Sequence, residues 1–205
     1  MRFSHPLDDV FQGRSHVKVL RALDSLPEGL EVSTREVARR AGVSHPTASG
    51  VLEALRRQGV VHVRRTPRAD EYRVNPEHVL WSKVRPVLRW ERQVRDEVVA
   101  FLADQIGKTA SWVSAAYLFG SAARDDMAPD SDIDIAVICP GNRVSSTERA
   151  MEAMAEIAAV RFGNRVSAIV GSRPIAELAR AGRSGHGLWS RIADEGIPLI
   201  HADRG

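Results

Sequence analysis

The sequence is poor in cysteine, in long apolar runs and in histidines at ligand spacing, and each shortage excludes something. A single cysteine, Cys139, has no partner for an internal disulfide, which excludes a disulfide-stapled secreted fold and fits a reducing compartment. No apolar stretch approaches the roughly 20 residues that cross a bilayer, so no membrane partner is expected. The opening MRFSHPLDDV lacks the apolar core of a signal peptide, and the expected location is the cytoplasm. The seven histidines are scattered without the spacing of a metal site. What remains is a mixed chain of 205 residues, long enough for one large domain or two small ones.

Charge is unevenly placed along it. Arg35 to Arg73 carries nine arginines against four acids, a local balance of +5, whereas Ala110 to Gly205 carries ten against twelve, a balance of −2. A basic front half joined to a mildly acidic back half points to a polyanionic partner at the front.

In the front half, Val17, Leu20, Ala22 and Leu23 recur at roughly helical spacing until Pro27-Glu28-Gly29 stops them. Ser33 or Thr34 can cap a short helix that Gly42 ends, and Ser44 caps the next. There Ala48, Val51, Leu52 and Leu55 form a buried stripe, with His45, Thr47, Ser49 and Glu53 opposite. After Gly59, VVHV and EYRV read as two strands around the turn RRTPRAD. Three helices and an Arg-tipped hairpin over about 15–74 resemble the winged-helix transcriptional regulators of bacteria, with AGVSHPT at the turn and the start of the recognition helix. That resemblance implies double-stranded DNA as partner, with Ser44, His45, Thr47 and Ser49 near bases. Arg64, Arg65 and Arg68 would lie on phosphates or in the minor groove.

From Leu80 to Ile106, apolar residues at mixed spacings of three and four predict one long helix, or two meeting near Pro86. Its apolar face suits packing within the chain or a second subunit, and a homodimer is expected.

The back half holds five aspartates in ten positions, Asp125, Asp126, Asp130, Asp132 and Asp134. The first three sit among turn formers. The last two interrupt the strand pattern SDIDIAVI, so Ile133, Ile135 and Val137 face one way and Asp132 and Asp134 the other, about 6.6 Å apart. Two such carboxylates suit a divalent ion, Mg2+ or Mn2+, shared with substrate phosphates. Upstream, the strand Ala115 to Phe119 leads into GSAAR, where Gly120 lets backbone approach a phosphate and Ser121 offers a hydroxyl and an N–H. A phosphate cradle beside a metal pair implies a nucleoside triphosphate.

GSAAR followed by PDSDIDIAV resembles the minimal nucleotidyltransferases of the polymerase-beta superfamily. The resemblance implies that Gly120 and Ser121 hold the triphosphate and that Asp132 and Asp134 bind two metal ions and are catalytic. Arg124 would touch phosphate or pair with Asp125 or Asp126. Two departures stand out. The third strand, NRVSAIV, has Ser167 or a neighbour where active members carry a third carboxylate, and Glu177 on the following helix is the acid that could replace it. Asp125 follows Arg124 where the family often has glycine.

The expected architecture is mixed α/β (α+β): a winged helix-turn-helix over 1–76, a helical connector over 77–108, and a nucleotidyltransferase-like domain with a small mixed sheet over 109–205. The expected function is DNA binding joined to Mg2+-dependent transfer of a nucleoside monophosphate to a hydroxyl. The alternatives are a regulator whose impaired transferase fold senses nucleotide, or an antitoxin-type partner.

Overall fold

The computed structural model describes residues 13–67, 69–181 and 187–200. The chain divides into two compact units, with the boundary between Gln93 and Val94. Among the described residues no helix is long and apolar enough to cross a membrane.

The first unit contains α1 (Arg14–Asp24), β1 (Val32–Ser33), α2 (Thr34–Ala41), α3 (His45–Arg57), β2 (Val61–Arg65), β3 (Asp70–Val74) and α4 (Val79–Glu91). Ser33 caps α2 through its side-chain oxygen, and Gly42, in the left-handed region at φ 60°, ends it. Ser44 then caps α3, so the chain turns between the two helices in the three residues 42–44. The buried stripe Ala48, Val51, Leu52 and Leu55 packs α3 inward. β2 and β3 form the antiparallel wing, from Val61 against Val74 to Arg65 against Asp70. A third strand joins them that the sequence does not announce: β1 pairs with β3, Val32 opposite Tyr72. Two residues are too short for a period to appear. This unit is a winged helix-turn-helix.

The sequence predicts one long helix or two meeting near Pro86; two helices form, but α4 runs through Pro86 and stops at Glu91. Proline removes one helical hydrogen bond and costs about 3 kcal/mol inside a helix. Tertiary contacts on both sides of it offset that cost. Trp81 and Leu88 are buried in the first unit's core. The Asp24 carboxylate, its side chain 1% exposed, accepts from Arg92 at 2.8 Å and Arg85 at 3.2 Å. Arg21 grips Glu91 with two hydrogen bonds, at 2.5 and 2.7 Å.

The second unit contains α5 (Val94–Thr109), β4 (Ala115–Phe119), α6 (Gly120–Arg124), β5 (Ile133–Ile138), α7 (Val144–Phe162), β6 (Val166–Gly171), α8 (Ile175–Ala181), α9 (Leu188–Glu195) and β7 (Ile197–Ile200). The sheet order is β6-β5-β4-β7, with β5 and β6 parallel and the other pairs antiparallel. The alternation read from SDIDIAVI holds: Ile133, Ile135 and Val137 join the core formed with Val98, Leu102 and Ile106 of α5 and Met151, Met154 and Ala158 of α7. The opposite face is covered by α8 and α9. A Cβ on Gly171 would lie 2.6 Å from Leu178, 2.9 Å from Ile138 and 3.0 Å from Trp189. Side chains alternate along a strand, so Asp134 belongs to the face it shares with Ile138.

Candidate functional site

In the first unit, the residues expected near bases cluster at the start of α3. Ser44, His45, Thr47 and Ser49 fall within its cap and first turns. Ser44 and Thr47 are partly engaged within the helix: the Ser44 Oγ accepts the Thr47 N–H at 3.3 Å, and the two hydroxyls lie 2.7 Å apart. His45 is exposed. On the wing the expected arginines part company. Arg64 is held by Glu31 at 2.6 Å and by Glu71, whereas Arg65 is exposed and makes no ion pair among the described residues. Arg68 lies outside the described residues.

In the second unit, the turn from β4 into α6 forms because Gly120 takes φ 71°, a left-handed conformation that glycine adopts without penalty. The glycine is required for a second reason. A Cβ there would stand 2.5 Å from Oδ2 of Asp134, so the backbone and that carboxylate share one small space. Strand register explains their meeting, since Phe119 pairs with Asp134. At the other end of α6, Asp125 is the only described non-glycine residue at positive φ, 65°. The position at which the resemblance leads one to expect glycine is thus a left-handed cap, and aspartate is one of the few side chains that tolerates it.

Gly120, Ser121, Arg124 and Asp134 line one cavity of about 340 Å³, together with Phe119 and with Leu188, Arg191, Ile192 and Glu195 of α9. Arg124 lines this cavity and donates to Asp126 at 3.2 Å, one of the pairings expected for it. Asp132 sits one residue before β5, exposed, rather than inside the strand. Its loop is anchored by the buried Asn164, whose amide donates to the carbonyls of Ser131 at 2.8 Å and Pro129 at 3.3 Å. Burial, reinforced by the negative charge of Asp132, pushes the Asp134 carboxyl above the usual carboxylate range.

Neither aspartate has a cationic partner within 4.0 Å among the described residues, and no group of three His, Cys, Asp or Glu gathers there to hold a metal. Two unneutralised carboxylates and nothing further suit Mg2+ that arrives with phosphate oxygens, and do not suit a metal held by protein alone. The residue in register with Asp134 on β6 is Ser167. Glu177 is not among the residues lining the cavity. The residues that sequence reasoning passed over are Arg191 and Glu195. Their signal was present, since 188, 191, 192 and 195 share one helical face, but Leu188 and Ile192 give that face the spacing of a core stripe.

A model of the family "Polymerase beta, Nucleotidyltransferase" matches residues 103–191, and a MarR family model matches residues 13–70. No curated protein matches the chain. Among solved structures it is similar to that of TrmBL2, an archaeal chromatin protein that "shows a novel mode of DNA binding", at 16% identity over 85% of this chain and 74% of that one, with a TM-score of 0.28.

Proposed function

We propose that this protein binds double-stranded DNA through its winged helix and a Mg2+–nucleoside triphosphate through its nucleotidyltransferase-fold domain, and that it transfers a nucleoside monophosphate to a hydroxyl acceptor. The observation that carries the nucleotide reading is Asp134: a half-buried carboxylate beside a second one, with no neutralising side chain, against a glycine turn that lines the same cavity. Burying negative charge without compensation is costly, and a cationic ligand removes the cost. Asp132 and Asp134 would hold the metal, which when bound stabilises charge on the transferring phosphate and on the leaving pyrophosphate. Gly120 admits the triphosphate close to the backbone, Ser121 offers it a hydroxyl, and Arg124 a positive charge. The DNA reading is supported by the local balance of +5, by the MarR-family match and by the exposed start of α3. A homodimer would present two such helices to one duplex.

A second reading is favoured by Ser167. It occupies the register position opposite Asp134 where an acid would activate the acceptor, so the domain would bind nucleotide without turnover and report its level to the DNA-binding unit. Incubating the purified protein with labelled triphosphates, Mg2+ or Mn2+ and cell extract separates the two. Transfer that disappears in Asp132→Ala supports the enzyme. Tight nucleotide binding without transfer, coupled to altered DNA affinity, supports the sensor. Absence of any nucleotide binding refutes both.

A further inference from the structure

The side of the cavity opposite the aspartates is built by α9, and its composition is specific. Leu188, Arg191, Ile192 and Glu195 follow the i, i+3, i+4, i+7 spacing and face the same space as Gly120 and Asp134. Ile192 is 1% exposed and fastens the helix, whereas Leu188 remains 42% exposed, an apolar side chain left open at the cavity. Arg191 and Glu195 are one turn apart and oppositely charged, a spacing at which such side chains can meet. Here they form no ion pair with each other, nor with any other described residue. A guanidinium and a carboxylate both free, beside an open apolar surface, make a ligand edge rather than a structural pair.

Glu195 does not replace the acid missing at Ser167. Ser167 is on β6, whereas α9 leads directly into β7, which pairs with β4; β6 and β4 flank β5 on opposite sides. Nor does Glu195 join Asp132 and Asp134 in a metal-holding group. Glu195 is therefore open to another part of the ligand than the reacting phosphate.

Resting on the nucleotide-binding reading above, we propose that Arg191 and Glu195 recognise the base of the bound triphosphate and that the base is guanine. A carboxylate only accepts hydrogen bonds and has two oxygens, and guanine alone among the four bases offers two adjacent donors, N1–H and the N2 amino group. Arginine only donates, and guanine's O6 and N7 are its preferred acceptors. Leu188 supplies an apolar surface for the ring. Adenine and cytosine each present one amino group to Glu195, and uracil one N–H, so each leaves part of the pair unsatisfied.

The test is isothermal calorimetry of the full chain in Mg2+ with non-hydrolysable analogues of GTP, ATP, CTP and UTP, and with the analogue of ITP, which lacks only the N2 amino group. The GTP analogue is expected to bind at least about tenfold tighter than the others, including that of ITP. Glu195→Gln is expected to erase the gap between GTP and ITP. Both side chains are exposed, so thermal unfolding of the variant should match the parent. Equal affinity for the GTP and ATP analogues, or for those of GTP and ITP, overturns the guanine assignment while Asp134→Asn-sensitive binding keeps the nucleotide reading. A loss seen with dGTP but not with ITP assigns Glu195 to the ribose hydroxyls and likewise overturns it. If no triphosphate binds, the underlying reading falls and this inference with it.

Discussion

A Cβ placed on Gly120 would stand 2.5 Å from Oδ2 of Asp134, so the glycine turn after β4 and the carboxylate on β5 constrain each other. Gly120→Ala meets both that overlap and the left-handed backbone at φ 71°. The expected result is destabilisation by about 1–2 kcal/mol from the backbone alone. Calorimetry should also show loss of Mg2+–triphosphate binding larger than the stability loss explains. An alanine variant that binds as the parent does removes the glycine from the site.

Asp134→Asn tests the cost of the unneutralised charge. Because burial and Asp132 raise the folded-state pKa, the folded protein holds the Asp134 proton more readily than the unfolded chain. This group's contribution is therefore favourable at low pH and is lost as pH rises above the ordinary carboxylate range. At neutral pH, without nucleotide, the asparagine variant should melt higher, by under about 1 kcal/mol since solvent screens a half-buried group. The advantage should vanish in acid. Mg2+–triphosphate should raise the melting temperature of the parent and not of the variant.

On the wing, Arg64 is already neutralised by Glu31 and Glu71 and Arg65 is not. Retention of DNA measured against salt should lose about 0.9 from its log–log slope in Arg65→Ala, one phosphate contact's worth. Arg64→Ala should change the slope less and instead weaken the wing, leaving two acids facing each other. Equal slope changes would show that Arg64 releases its acids to reach the duplex.

Asn164, 3% exposed, holds the loop ahead of Asp132 through the carbonyls of Pro129 and Ser131. Asn164→Ala should cost about 1–3 kcal/mol in thermal or urea unfolding, because two part-buried hydrogen bonds are lost. Triphosphate affinity should fall as well, since Asp132 then samples other positions. Unchanged affinity in a folded variant would show that Asp132 is positioned without this anchor.

Wherever a signal was local, the sequence revealed it. Ser33, Gly42 and Ser44 announced two helices and the turn between them, because capping depends on residues within three positions. The alternation of SDIDIAVI announced β5 and its buried face, because side-chain direction in a strand follows from parity alone. Pro86 misled, because its cost inside α4 is met by Asp24 and Glu91 partners some 60 to 70 residues away in sequence. The strand β1 escaped, since its only signature is its pairing with β3.

Residue types and short spacings thus determined by themselves a winged helix, a glycine-serine turn and an aspartate pair at the start of a strand. Only the tertiary structure decided which surfaces complete them. Pairing of β7 with β4, Leu118 against Ile197, brings Arg191 and Glu195 to the cavity of Asp134, and pairing of β5 with β6 sets Ser167 beside that aspartate. Such long-range registers are fixed by burying both faces of a sheet at once, a condition that no local stretch of sequence carries.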